Sequence, residues 1–367
     1  MKLLLFSNNK TPACTKTYIA RMQLTFFNSQ SPEIAYTASF AAQKISSKGN
    51  LTKSAVRAQS AVKRAPIARF FCVCLGSNLK TSLVMQHAIL IPTDFSENAW
   101  TATRYGAQLA QHYNWSVHLL HVHKNFGKLL ASTEFNEDLD TQQSANAESE
   151  LEKHTQKLTG EFPGLPITSA IIQGGLTDTI VDLVQDSPIQ FIVMGTKGSN
   201  GLAGRLIGSN TFEMIQKSPI GVIAVPAGHQ EFQLQHIGLL TNFKEEEIHL
   251  LDTFISRTNT ALDVSLLHVW EGGKHPSEAD IDFWKSKLTQ ATGADSIHFH
   301  ETEMVKRLDV NNPIPECIEE LSQSAAVDLL LISYARRSFF RALFSRSLVK
   351  TLAHALSVPA YFLRSSQ

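Results

Sequence analysis

QFIVM (190–194), GTKGSNGLAGRLIGSN (195–210) and TFEMIQK (211–217) follow one another without interruption. The first is a short apolar run of strand type and the last has helical spacing. Between them five glycines, Gly195, Gly198, Gly201, Gly204 and Gly208, crowd the fourteen positions from 195 to 208. A strand that passes through a stripped backbone into a helix is the unit from which parallel α/β sheets are built.

The same alternation extends upstream. HAILIP (87–92) reads as a buried strand. After it, Ala99, Ala102, Gly106, Leu109 and Tyr113 recur at spacings of three and four behind Ser96, which is placed as an N-cap. SVHLLHV (116–122) is a second strand, an acid-rich stretch over 137–160 a surface helix, ITSAIIQ (167–173) a third strand and LTDTIVDLVQD (176–186) a third helix. GVIAVP (221–226) closes the set. Alternating strands and helices require right-handed crossovers and a parallel sheet covered on both faces. The expected fold class is open α/β.

The pattern then begins again. HIGLLTNF (236–243) matches AILIPTDF (88–95) at a shift of 148, and DVSLLHV (263–269) matches SVHLLHV at 147. VDLLLIS (327–333) falls on IQFIVMG (189–195) at 138. Two tandem copies are expected, over 85–230 and 231–367, joined through AGHQEFQLQ (227–235).

A net charge of zero over 367 residues conceals an asymmetry. Residues 1–84 hold 12 Lys and Arg against the single acid Glu33, whereas 85–367 hold 21 basic and 32 acidic residues. Three readings compete for this basic, Ser-rich extension: sequence upstream of the working protein, a transit peptide or disordered tail, and a basic arm for nucleic acid or membrane. Cys14, Cys72 and Cys74 lie there, leaving Cys317 alone in the remainder. No disulfide framework is indicated, and a reducing, cytoplasmic compartment fits. No apolar run reaches the 18 residues that a membrane-spanning helix needs.

Open parallel sheets bind ligands outside the carboxyl ends of their strands. PTDFS (92–96), HVHK (121–124) and the glycine stretch all leave such ends. Glycine accepts positive φ and lets an anion approach the backbone closely. With bare amides at a helix start and the Ser209 hydroxyl, the stretch forms a cradle for phosphate. It lacks the G-K-[ST] of a Walker loop and the G-x-G-x-x-G of dinucleotide folds.

At these residues the chain resembles a known family. GTKGSNGLAGRLIGSN carries the G-x2-G-x9-G-[ST] pattern of the ATP-binding universal stress proteins, and ILIPTDFSENA (89–99) looks like their first strand and adenine-side loop. The resemblance covers about 85–367 and implies two tandem Rossmann-like domains of the adenine nucleotide alpha hydrolase type. Each would be an open five-stranded parallel sheet with helices on both faces. It implies ATP, alone or with Mg²⁺, at the strand carboxyl ends. Pro92, Thr93 and Asp94 would form the first loop, Val122 would present backbone to adenine, and Met194 and Gly195 would lie beside ribose and phosphates. Gly198, Gly208, Ser209 and Asn210 would hold the phosphate chain. Asn210 departs from the family's small apolar residue, at a position that works through its amide. Asp94 also suits a purely local role, bridging the turn into the next helix.

In the second copy Asn242 replaces Asp94, Ser333 replaces Gly195, Arg336 replaces Gly198 and Arg346 replaces Gly208, while Ser347 preserves Ser209. Side chains at the glycine positions would crowd phosphates, so one site is expected, in the first copy. His118, His121 and His123 read as sharing one strand face and invite a metal reading, but no carboxylate or cysteine is spaced to complete a set. No nucleophile elbow, zinc-protease motif or paired-carboxylate signature appears. The expectation is a nucleotide-responsive stress module rather than an enzyme; Lys197 and Arg205, near the proposed phosphates, read more readily as exposed loop residues than as suppliers of charge. A slow ATP hydrolase and a nucleotide-free scaffold are the alternatives. The resemblance also implies pairing of the two copies through GVIAVP and PAYFL (359–363), or a homodimer, and neither nucleic acid nor membrane as partner.

Overall fold

A computed structural model of the chain describes residues 3–5, 18–21, 41–44, 87–123, 133–185, 187–196, 208–229, 232–259, 263–272, 275–294, 296–304, 314–334 and 357–364. The chain divides into two units, Met1–Thr81 and Ser82–Gln367. In the first, β1 (Leu3–Leu5), β2 (Tyr18–Arg21) and β3 (Ala41–Lys44) form an antiparallel sheet in that order. The other residues expected to form the basic extension lie outside the described residues.

The second unit alternates strand and helix. Its first part runs β4 (Ala88–Pro92), α1 (Glu97–His112), β5 (Ser116–His123), α2 (Thr133–Glu161), β6 (Ile167–Gln173), α3 (Leu176–Val184), β7 (Ile189–Gly195), α4 (Ser209–Lys217) and β8 (Gly221–Val225). Its second part runs β9 (His236–Leu240), α5 (Glu245–Thr258), β10 (Asp263–Trp270), α6 (Glu278–Thr292), β11 (Ser296–Glu303), α7 (Ile314–Ser324), β12 (Leu329–Tyr334) and β13 (Ala360–Arg364). The ten strands make one sheet, ordered β11, β10, β9, β12, β13, β8, β7, β4, β5, β6. All neighbours are parallel except β13 and β8, which pair antiparallel with Tyr361 opposite Ile223. This is the α/β Rossmann-like fold, with its two five-stranded halves running in opposite directions.

Burial explains the strand spellings. Central strands are covered on both faces and read as unbroken apolar runs; every residue of β4, β8 and β12 is buried. The outermost strand β6 alternates poorly and is half-exposed. One face is packed by α1, α2, α5 and α6 through residues such as Leu109, Leu158, Phe254 and Trp284. The other is packed by α3, α4 and α7 through Ile180, Phe212 and Ile318. Both cores run unbroken across the β8–β13 seam.

Specific contacts hold that seam. The Phe191, Phe254 and Tyr361 rings lie with centroids 5.1 to 5.7 Å apart. Arg257 donates through Nη1 to the Gln190 carbonyl at 2.6 Å, and Gln216 Nε2 donates to Tyr334 Oη at 3.0 Å. The Tyr361 ring lies against Gly221, so that a Cβ there would collide with its Cε2 and its hydroxyl oxygen. Gly221→Val is therefore expected to lower unfolding free energy by about 1–3 kcal/mol, the usual cost of overpacking a rigid core. Urea titration measures this, and an unchanged midpoint would refute the role given to Gly221.

Candidate functional site

Because β5, β4 and β7 are adjacent and parallel, their carboxyl ends share one rim. The chain leaves β4 toward β5 and β6, then returns to β7 on the other side, so the strand order reverses between β4 and β7. Loops at such a reversal splay apart and leave a crevice. The structure brings to this rim Pro92, Thr93 and Asp94 from β4, Val122 from β5, Met194 and Gly195 from β7, and Gly208, Ser209 and Asn210 at the start of α4. Gly198, Lys197 and Arg205 lie outside the described residues.

The first loop is tightly built. Thr93 Oγ1 accepts the Phe95 N–H at 3.0 Å, and Phe95 takes φ +65°, a left-handed backbone that is costly for an aromatic residue. Asp94 Oδ1 accepts both the Ser96 N–H, at 3.1 Å, and the Ser96 hydroxyl, at 2.6 Å. Ser96 Oγ in turn caps α1 by accepting the Ala99 N–H at 3.1 Å. Asp94 thus bridges the turn, the local role weighed against nucleotide contact, and the residue is exposed.

Gly195 and Gly208 are not explained by positive φ. Gly208 has φ −54° and ψ 141°, the extended backbone of an N-cap, and Gly195 is not among the residues with positive φ. Gly195 is required by packing: a Cβ would lie 2.7 Å from the Asn98 carbonyl oxygen of α1 and closer still to its side-chain amide. Nor is the Gly208 amide bare, since it donates to the Thr196 carbonyl at 2.6 Å. Thr211 Oγ1 donates to the Gly195 carbonyl at 2.8 Å, so two bonds pin α4 to the end of β7. Ser209, Asn210 and Thr211 follow as the first helical residues, whose amides have no intrahelical acceptor. Gly208 supplies no side-chain cap.

Strand register also fixes where Val122 points. Even-numbered residues of β5 bond toward β4, as in Thr93 N–H to Leu120 O at 2.9 Å, and odd-numbered ones toward β6, as in Gly174 N–H to His123 O at 3.0 Å. Val122 therefore turns its backbone N–H and C=O toward β4, just past the point where β4 ends.

The three histidines of β5 do not share a face. His118 stands three positions from His121, and alternation sends it to the opposite side of the sheet. There it pairs with Thr168 Oγ1, and burial lowers its pKa to about 4. His121 and His123 lie on the α1–α2 side with ring centroids 6.4 Å apart. Among the described residues no group of three or more His, Cys, Asp or Glu is placed to hold a metal ion.

The opposite rim carries the same turn with a different filling. Thr241 Oγ1 accepts the Phe243 N–H at 3.1 Å, and Phe243 again has positive φ, +60°. Here the N-cap of α5 is Lys244, which makes no side-chain cap bond. Glu247, three residues on, reaches back as in a capping box. Its carboxylate accepts the Thr241 hydroxyl at 2.6 Å and the Asn242 N–H at 2.8 Å, and the residue is 1% exposed. At the 148-residue shift its counterpart is Ala99. A buried carboxylate thus braces the first turn of the second rim, which sequence inspection missed although the K-x-x-E spacing signals it. Ser333 is buried, and Arg336, Arg346 and Ser347 lie outside the described residues.

Residues 85–226 match the family model described as the universal stress protein family. A universal stress protein of Methanocaldococcus jannaschii is 30% identical over 157 residues, which span 39% of this chain and 96% of that relative. The chain belongs to the universal stress protein family. A second universal stress protein of the same organism is 24% identical over 157 residues, spanning 43% of this chain and 92% of its own length. The solved structure of a universal stress protein from Archaeoglobus fulgidus shares the fold at 19% identity, with a TM-score of 0.55, over 78% of this chain and 99% of its own. Among the described residues no helix is long and apolar enough to cross a membrane.

Two measurements check this geometry. Burial pushes the Glu247 carboxyl up from 4.5 to about 7, a rise its hydrogen bonds only partly offset. The folded state therefore holds this proton more tightly than the unfolded chain, and the resulting stability is complete below pH 4.5 and lost as pH rises through 7. Glu247→Gln should remove that dependence, so the difference in unfolding free energy between variant and wild type should change by about 3 kcal/mol from pH 4 to pH 8. A constant difference would contradict the burial. Gly195→Ala should destabilise by about 1–3 kcal/mol. Adding Asn98→Ala should recover only part of the loss, because the Asn98 backbone oxygen stays in place; full recovery would refute the close approach.

Proposed function

We propose that the first rim binds an adenine nucleotide, ATP in the first instance, and that the chain is a nucleotide-responsive stress module rather than an enzyme. The observation that carries this is convergence: the Val122 backbone and the α4 start flank one strand-order reversal, a place for a base and a place for phosphates. The N-terminus of α4 offers amides and the positive end of a helix dipole to an anion. Asp94, Met194 and Gly195 lie between. Gly198 and Asn210 belong to the phosphate side by motif. Membership of the universal stress protein family agrees with this assignment.

We further assign residues 85–230 and 231–367 to two copies of one domain, paired through β8 and β13, with the site confined to the first. Both halves have the same strand order, and in the second Glu247, in the place of Ala99, takes up the Thr241 hydroxyl and the Asn242 N–H. The second copy then serves as a fixed partner whose edge covers β8, a strand that would otherwise invite unwanted pairing.

Titrating ATP with Mg²⁺ while recording melting tests the assignment. A ligand at 100 times its Kd adds about 2.7 kcal/mol to stability. Gly208→Val is expected to abolish the shift without unfolding the protein, because a β-branched side chain would stand at the mouth of α4 where phosphate approaches. Arg346→Val should leave the shift intact. No shift in wild type at millimolar ATP would end the nucleotide assignment, and equal losses from both variants would end its restriction to one rim.

A further inference from the structure

The bond that closes the β4–β5 ladder is made by a side chain. In a regular parallel ladder a residue gives its N–H to one residue of the neighbouring strand and its C=O to the residue two further on. Thr93 gives its N–H to Leu120 O at 2.9 Å. Its carbonyl should then accept the Val122 N–H, yet among the described residues no backbone bond joins them. His121 takes that carbonyl instead, with Nδ1 at 2.8 Å. A carbonyl only accepts, so Nδ1 carries the proton.

The ring is held for this task. It stacks on Phe95 with centroids 4.5 Å apart and planes inclined by 23°, and Phe95 is the residue with left-handed backbone. His154 of α2 also packs against Phe95, tilted by 52° with centroids 5.2 Å apart. Strain at Phe95, the stack and the Thr93 contact form one unit. The carbonyl contact recurs at the opposite rim, where His268 Nδ1 meets the Thr241 carbonyl at 2.9 Å and its ring, tilted by 57°, lies 5.0 Å from that of Phe243.

We infer that His121 is a positioning residue for the base. By engaging the Thr93 carbonyl it leaves the Val122 N–H and C=O together, as a donor and an acceptor, for the edge of an adenine. Adenine offers a ring-nitrogen acceptor beside its N6 amino donor, whereas guanine has the acceptor O6 in place of that amino group. O6 would face the Val122 carbonyl, acceptor against acceptor. His121 thereby favours adenine over guanine without touching the nucleotide. This inference rests on the nucleotide assignment above.

Four full-length proteins test it: wild type, His121→Phe, His121→Asn and His268→Phe. The first variant keeps ring volume and stacking and removes the donor; the second restores a donor near the Nδ1 position. Affinities for ATP and GTP are measured by calorimetry, and Val122 amide hydrogen exchange is measured without nucleotide. His121→Phe should bind ATP about tenfold more weakly, the worth of one hydrogen bond, and GTP within about threefold of wild type. His121→Asn and His268→Phe should keep the wild-type ATP to GTP ratio. Without nucleotide, Val122 should exchange more slowly in His121→Phe, because its amide can now close on Thr93; His121→Leu gives the same reading should the Phe variant not accumulate. Wild-type ATP affinity in His121→Phe, an equal loss for both nucleotides, or unchanged Val122 exchange would overturn the inference. If wild type binds neither nucleotide, the nucleotide assignment fails, and the exchange comparison still decides whether His121 keeps Val122 from Thr93.

Discussion

Where a parallel ladder stops, its last backbone donors and acceptors lose their partners, and everything distinctive in this molecule happens at those stops. Buried polar groups must be paired, so each rim is furnished with substitutes for the missing strand. Thr93 and Thr241 bond their own turns through Oγ1. His121 and His268 cover the carbonyls of the same threonines. Thr196 takes the amide of Gly208, which closes the long loop at its neck. These substitutes define which backbone groups are consumed by the fold and which stay available at the crevice.

The antiparallel β8–β13 pair determines how many rims there are. Had all ten strands been parallel, both strand-end loop sets would share one edge. Reversal at the seam sends them to opposite edges, while both helix layers remain continuous and the Phe191, Phe254 and Tyr361 cluster fills the junction. The two rims are then free to diverge. One caps its first helix with a hydroxyl, that of Ser96. The other caps it with the buried carboxylate of Glu247, whose raised pKa reflects lost solvation outweighing the bonds it accepts.

Much of the fold was legible because its signals are local. ITSAIIQ coincides with β6 and TFEMIQK falls within α4, which begins two residues earlier, since apolar period and glycine boundaries act within a few residues. Ser96 as N-cap was equally local. The candidate site was legible only as a set of loops. The reasons for its glycines were not, because Gly195 is dictated by Asn98, nearly a hundred positions away in sequence. His121 was legible only as one of three strand histidines, and its role was hidden for the same reason: its partner Thr93 lies just past the end of another strand, and a histidine in a strand says nothing of which carbonyl it will meet.

Sequence by itself determined the class of fold, the repeated strand spellings and the loops that leave the strand ends, because hydrophobic periodicity and turn chemistry are properties of short segments. Tertiary structure decided that the ten strands form one sheet reversed at β8 and β13, that Gly208 spends its amide on Thr196, and that His121 takes the Thr93 carbonyl. Those outcomes turn on which distant backbone group is left without a partner when strands of unequal length are laid side by side, a quantity no single segment contains.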